Sequence, residues 1–335
     1  MGLLFLRQIL TAYVRSLLLT PIFLHLSYME YSLRDRKGLN SFIMLAVLFV
    51  LMVVCLIISE TFVKFTLPLF FGIGDADSFI KTASEQLKNP LALIYLQAMC
   101  SSIGFFLLPV LVYHSIFRYD ITASMGMRTV PAAKYWLIAI GIMVMAAVFT
   151  QWLVQINTAI PLSGDWTQLR TMEQQVDKMV EAFFSETSMK RLLLLTLVMA
   201  LLPAVAEEFC FRGTIQNTLS QTNLGPIGAI VITGFTFSLV HFEFDNFLAI
   251  WCMGIVLGFI YYYSGSIWVS IVVHFLNNFI VVIGKYAYMK GLIHSDVASS
   301  DALPLYLTLP AGAVMIGGLI LMRKWSGKNP AGIIN

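Results

Sequence analysis

About eight apolar runs of roughly 18 to 27 residues, divided by short polar connections, leave this chain few folds to choose from. A helix rises about 1.5 Å per residue, so such runs match a hydrocarbon core of about 30 Å, whereas a water-soluble helix keeps one polar face. The runs fall at approximately 41–59, 91–117, 135–157, 191–216, 225–243, 246–263, 266–284 and 303–323. Hydrophobic residues make up 59% of the chain and charged ones 12%, where soluble domains carry about a quarter. The expected fold class is all-α: a polytopic membrane protein of about eight transmembrane helices plus interfacial amphipathic helices. We divide it into an N-terminal interfacial basic segment, 1–40, and a single membrane domain, 41–335, with its functional core at about 190–285.

The formal net charge of +3 is unevenly spread. Arg7, Arg15, Arg34, Arg36 and Lys37 precede the first run, Arg118, Arg128 and Lys134 flank the connection after the second, and Arg323, Lys324 and Lys328 follow the last. The connections at 60–90 and 161–190 hold acidic residues that balance or exceed the basic ones. By the positive-inside rule this predicts a cell-membrane protein with both termini cytoplasmic. The same pattern calls for no nucleic-acid partner.

The first 28 residues are interrupted by Arg7 and Arg15 on one helical face and read as an interfacial helix rather than a removed signal peptide. Between Leu162 and Arg191, apolar residues at helical spacing (Leu169, Met172, Val176, Met179, Val180, Phe183) predict an amphipathic helix that packs at the interface, with a lid role as the lesser reading. Asn223-Leu224-Gly225-Pro226 breaks the helix and makes a hairpin of the fourth and fifth runs. Gly254-x-x-x-Gly258 offers a flat stripe for close helix contact, and Tyr261-Tyr262-Tyr263 reads as an aromatic belt. Cys55, Cys100, Cys210 and Cys252 all fall in apolar runs without CxxC spacing, which predicts packed thiols and no redox role.

Against this background Glu207-Glu208-x-x-x-Arg212, Phe237-x-x-x-His241 and His274-x-x-x-Asn278 stand out, because ionisable groups inside apolar runs are expensive and mark function by default. Glu207 precedes the hairpin turn by about as many residues as His241 follows it, so both lie about 20 Å from the turn and could meet across it. His274 and Asn278 share one face of the seventh run, about one turn apart. Glu208 and Arg212 have the i, i+4 order of an ion pair and are assigned mainly to scaffolding. Glu207, rotated by about 100°, is free for chemistry. A glutamate desolvated beside a like charge holds a proton more readily, which suits a general base acting on water. His241 would hold that water, and His274 with Asn278 would offer N–H donors to an oxyanion.

Two imidazoles and a carboxylate are also zinc ligand types, so Glu207, His241 and His274 are the metal set if a metal is bound. Spacing does not decide between zinc and bare water, and the lack of a His-Glu-x-x-His helix favours the metal-free reading. Blander roles remain for the other polar groups. His25, His114 and His294 read as satisfied packing groups, Phe237 as a cavity wall, Glu243 and Asp245 as loop acids near His241, and Glu60 with Lys64 as an ordinary helix pair.

At these residues the chain resembles the CPBP family, the type II CAAX prenyl endopeptidases and the bacteriocin-processing or self-immunity (Abi) proteins. The resemblance rests on Glu207-Glu208-Phe209-Cys210-Phe211-Arg212-Gly213, on Phe237 through His241, on Gly254-x-x-x-Gly258 with Ser264-Gly265-Ser266-Ile267-Trp268, and on His274-Phe275-Leu276-Asn277-Asn278. It covers about 190–285. It implies an eight-helix intramembrane protease in which Glu207 with His241 activates water, His274 and Asn278 form the oxyanion side, and Glu208 and Arg212 fill the remaining motif positions. The implied partner is a membrane-embedded or membrane-anchored peptide. Two alternatives compete: a catalytically silent immunity or scaffold protein, and a proton-relay transporter, although a relay has no use for Asn278. Substrate, side of entry and oligomeric state have no signature in the sequence.

Overall fold

The computed structural model describes residues 39–76, 89–117, 119–160, 174, 176, 178–294 and 303–326. The interfacial segment expected at 1–40 lies almost wholly outside the described residues, as do His25, Arg118, Leu169, Met172 and Lys328. Among the described residues all regular structure is helical. The long helices are α1 (Leu39–Phe71), α2 (Pro90–Ile116), α3 (Ala133–Ala159), α4 (Met189–Ser220), α5 (Gly225–Leu239), α6 (Phe247–Ser264), α7 (Ile267–Met289) and α8 (Leu305–Ser326). Seven are long and apolar enough to cross a membrane.

The exception is α5, expected to span 225–243. It has 15 residues and is about 22 Å long. It ends because Phe242 takes a left-handed backbone (φ 54°) and the chain turns through polar Glu243, Asp245 and Asn246. His241 therefore lies in the turn beyond the helix, not within a span. In the other direction, α1 runs past its expected end at 59 to Phe71, carrying Glu60 and Lys64 as a paired i, i+4 couple (2.9 Å) that lets the helix continue.

Alternation of the helices creates two ends, each tied by side chains that cap foreign carbonyls. At one, Ser266 Oγ donates to Thr129 O (2.8 Å), Trp268 Nε1 to Met127 O (2.9 Å) and Asn217 Nδ2 to Ser124 O (2.9 Å). This end carries Arg128, Lys134, Arg323 and Lys324 and is called the basic end. At the opposite end, Gln155 Nε2 donates to Leu303 O (3.0 Å) and Tyr286 OH to Thr187 O (2.8 Å). The described part of the amphipathic segment docks there. Phe183 and Phe184 are buried among Leu93, Ile94, Leu195 and Val282.

Helix α4 lies at the centre, packed against α2, α5 and α7 and reaching α6 through its last turns. It widens to π-type turns over Thr196–Leu201 and again over Phe211–Gln216, on either side of the glutamate pair. Pro203 explains the first widening, since proline has no N–H to donate and its ring crowds the carbonyl four residues back. Pro109 stands in the same relation to the π-type stretch Ala98–Leu107 of α2. Other bland readings fare unevenly: His294, read as a packing group, is exposed in the bend that follows α7. His114 is buried with Nδ1 on Val110 O (3.0 Å), and the four cysteines are unpaired. Tyr261 departs from the aromatic-belt reading, because it is buried and its hydroxyl accepts from Asn217 Nδ2 (2.8 Å).

The glycine stripe of α6 sets the closest helix contact. A Cβ on Gly254 would lie 2.8 Å from Gly234 Cα of α5, and one on Gly258 would lie 2.9 Å from Gln216 Oε1 of α4. Replacing Gly254 by Val must push α5 away from α6, and overpacking of this kind typically destabilises by about 1–3 kcal/mol. A lowered thermal midpoint of the purified Gly254→Val protein in detergent is the expected result, with the exposed Gly317→Ala as a control that moves little.

Candidate active site

The stretch Leu202–Cys210 of α4 puts two glutamates on adjacent faces, and the structure gives them different partners. Glu208 points into the bundle. Its Oε1 accepts from Arg212 Nη1 at 2.7 Å and from His274 Nδ1 at 2.9 Å. Both members of the ion pair are 0% exposed. Arg212 reaches further: Nη2 donates to Gly254 O (3.0 Å), and one turn on, Gln216 Nε2 donates to Gly258 O (3.2 Å). The two glycines thus leave their carbonyls open to the two polar side chains of α4. The guanidinium also lies over the Phe237 ring (4.8 Å).

Glu207 faces the other way, toward the imidazoles. Its Oε2 lies 4.0 Å from His241 Nε2 and 3.8 Å from His274 Nε2. These gaps are too long for direct hydrogen bonds, and one water about 2.8 Å from each atom fits them. The cluster is mostly shielded: His274 is 6% exposed, Glu207 11% and His241 26%.

The tautomers follow from the partners. Glu208, ionised against Arg212, can only accept, so His274 carries a proton on Nδ1. A backbone carbonyl likewise only accepts, and His241 Nδ1 sits 2.6 Å from Phe237 O. Each neutral ring therefore turns a lone pair on Nε2 toward Glu207. This modifies the oxyanion expectation, because His274 becomes a donor at Nε2 only when it holds a second proton. Phe237 is buried as expected and packs against His241 (4.6 Å), Phe211 (5.0 Å) and His274 (5.9 Å) by ring centroids.

Asn278 is half-buried on α7, one turn beyond His274 toward the opposite end. Its Oδ1 accepts from Asn277 Nδ2 (3.4 Å), and its own Nδ2 makes no hydrogen bond among the described residues. Three of the four expected residues thus meet at one point, while Asn278 lies one turn further along α7.

Other residues were silent in the sequence. Asn157 at the end of α3 donates from Nδ2 to Phe244 O (2.5 Å) and accepts at Oδ1 from Leu248 N (3.2 Å), pinning the chain that follows His241. Ser238 Oγ donates to Phe247 O (2.7 Å) and closes the same turn. Asn157 sits in an ordinary apolar run, so only its polarity in a span could have flagged it. Gln216, four residues past Arg212, repeats its spacing and was readable in that sense.

The donor types of Glu207, His241 and His274 are those of a zinc site, with each imidazole anchored through Nδ1 as metal-bound histidines are. Two ligands on one tetrahedral zinc lie about 3.3 Å apart, however, given bonds of about 2.0–2.1 Å. The observed 3.8 and 4.0 Å exceed this, and among the described residues no three His, Cys, Asp or Glu side chains are arranged to hold a metal. The residues as placed do not fit the metal set named from sequence, and no step of the proposed reaction runs through one.

Comparison with known proteins adds one finding. Residues 189–280 match the family model described as type II CAAX prenyl endopeptidase, Rce1-like, in agreement with the resemblance carried by the motifs. No curated protein and no solved structure matches the chain.

Truncating Arg212 leaves Glu208 buried with its main cation gone, a change that typically costs about 3–5 kcal/mol. Arg212→Ala is expected to lower the thermal midpoint in detergent sharply. The double change Glu208→Gln with Arg212→Met, which removes both charges, is expected to recover a substantial part.

Proposed function

We propose that this membrane protein, whose residues 189–280 match the Rce1-like type II CAAX prenyl endopeptidases, is an intramembrane endopeptidase that hydrolyses a peptide bond of a membrane-associated substrate with water activated by Glu207. The family match supports a CAAX-type intramembrane protease in general terms. One observation carries the finer reading: a carboxylate oxygen lies 4.0 and 3.8 Å from two imidazole nitrogens, the reach of a bridging water, and each imidazole is held from behind by an acceptor.

In this reading water sits between Glu207 Oε2 and His241 Nε2. Glu207 takes one proton, and the His241 lone pair accepts the other O–H and aims the oxygen. The hydroxide attacks the scissile carbonyl carbon, whose oxygen becomes an oxyanion. His274, in the form that carries a proton on Nε2, supplies one donor to the oxyanion, and Asn278 Nδ2 supplies another. The carbon–nitrogen bond then breaks as Glu207 returns its proton to the leaving amine, yielding a carboxylic acid and an amine. Glu208 is a positioning residue, which orients His274 and holds the Nδ1 proton.

Two measurements test this. Peptides that accumulate uncut in membranes from cells carrying Glu207→Gln, and are cut in cells carrying the unaltered protein, are the expected outcome of comparative proteomics. With a substrate so identified, Glu207→Gln should lower turnover by at least about 1,000-fold, as loss of a base that also returns the proton implies, at an unchanged thermal midpoint. Dialysis against a chelator should leave turnover intact. Identical peptide profiles even on over-expression, or loss of activity on chelation restored by zinc, would count against the proteolytic and the metal-free halves respectively.

A further inference from the structure

The direction from which Glu207 is reached follows from three features. The first is a seal. Toward the basic end the cluster rests on Glu208, Phe211, Arg212, Phe237, Tyr261 and Ile267, all buried and in contact through the ion pair, the guanidinium over Phe237 and the Phe211–Phe237 ring contact. Beyond them Asn217 bonds Tyr261 OH and Ser124 O, closing the floor against the connection between α2 and α3. The buried residues of this layer are 0–3% exposed.

The second is a notch. Helix α5 stops about 8 Å short of the hydrocarbon thickness, given a length of about 22 Å against about 30 Å. The turn after it, with His241, Glu243, Asp245 and Asn246 all partly exposed, therefore lies below the opposite membrane surface. Irregular backbone and carboxylates at membrane depth persist only where protein or water covers them. Exposure of the cluster rises toward this turn, from His274 through Glu207 to His241.

The third is charge. Setting aside the Glu60–Lys64 pair, the described residues at the sealed end are Arg128, Lys134, Arg323 and Lys324 against Asp120. At the notched end Lys178, Lys190, Arg191, Lys285 and Lys290 are balanced by Asp75, Glu181, Glu186, Glu243 and Asp245. An excess of basic residues marks the cytoplasmic side.

We infer that water and substrate reach Glu207 from the non-cytoplasmic face, through the notch above the α5–α6 turn, so that the substrate is a peptide segment presented on that side and not a cytoplasmic carboxyl-terminal tail. The substrate half rests on the proteolytic reading above. The access half rests on geometry and charge alone.

Cysteine reporters separate the two. His241→Cys and Glu243→Cys place a thiol in the notch, and Asn223→Cys places one in the exposed α4–α5 turn at the sealed end. Intact cells and inverted membrane vesicles are treated with a membrane-impermeant thiosulfonate reagent, and the unaltered protein, whose four cysteines lie within helices, serves as the blank. Labelling of positions 241 and 243 in intact cells, with position 223 labelled only in inverted vesicles, is the expected pattern. Labelling of 241 and 243 only in inverted vesicles, or from neither side, overturns the inference, and so does labelling of 223 from outside. Cleavage sites found with the Glu207→Gln comparison should fall on the non-cytoplasmic flank of their substrates, and sites on the cytoplasmic flank overturn the substrate half. Expected labelling without any cleaved peptide would remove the protease and leave the access route standing.

Discussion

One carboxylate oxygen, Glu208 Oε1, holds this bundle together. It receives Arg212 from its own helix and His274 from α7, while Arg212 spends its other arm on a carbonyl of α6. Three helices are thereby referred to one point. Burying an ion pair is costly unless its remaining donors and acceptors find partners. Here Glu208 Oε1 and Arg212 Nη2 find the groups whose positions matter, the imidazole beside Glu207 and the glycine that lets α5 and α6 touch, while Glu208 Oε2 and Arg212 Nε are buried without a hydrogen-bond partner among the described residues. The pair therefore sets geometry more than it adds stability, and the same contact that orients His274 fixes which of its nitrogens faces Glu207.

Much of this was legible because hydrocarbon punishes polar groups. Charged side chains in apolar runs had to have partners, so Glu208 with Arg212 could be paired from spacing alone, and depth counting brought Glu207 near His241 across the hairpin. The part that stayed hidden involved backbone. The carbonyls of Gly254, Gly258 and Phe237 are acceptors that every residue possesses, and no sequence pattern says which of them a side chain will find. The contact of His274 with Glu208 was missed for a related reason: Glu208 already had a cation, and nothing in the spacing announced that one oxygen would serve two donors.

Helix lengths were misread where hydropathy and hydrogen bonding disagree. Val240, Phe242 and Phe244 keep the run apolar, yet the backbone turns at the left-handed Phe242 and α5 ends. Conversely, Glu60 and Lys64 look like an end to α1, but paired one turn apart they let it run on. The π-type turns on both sides of the glutamates add a further shift, since each extra residue per turn rotates the remainder of the helix by about 100°.

The short fifth helix reconciles two demands that oppose each other. The proposed hydrolysis needs water at Glu207, whereas the ion pair that shapes the site needs water kept away, because solvent would weaken every charge contact in it. A full-length α5 would bury the whole cluster alike. Ending it at Leu239 opens only the His241 side, and the Phe237–Phe211 layer just beneath keeps Glu208 and Arg212 dry. The gradient from 0% exposure at the ion pair to 26% at His241 is thus built by one missing stretch of helix, with the pinned turn around Asn157 holding the opening in shape.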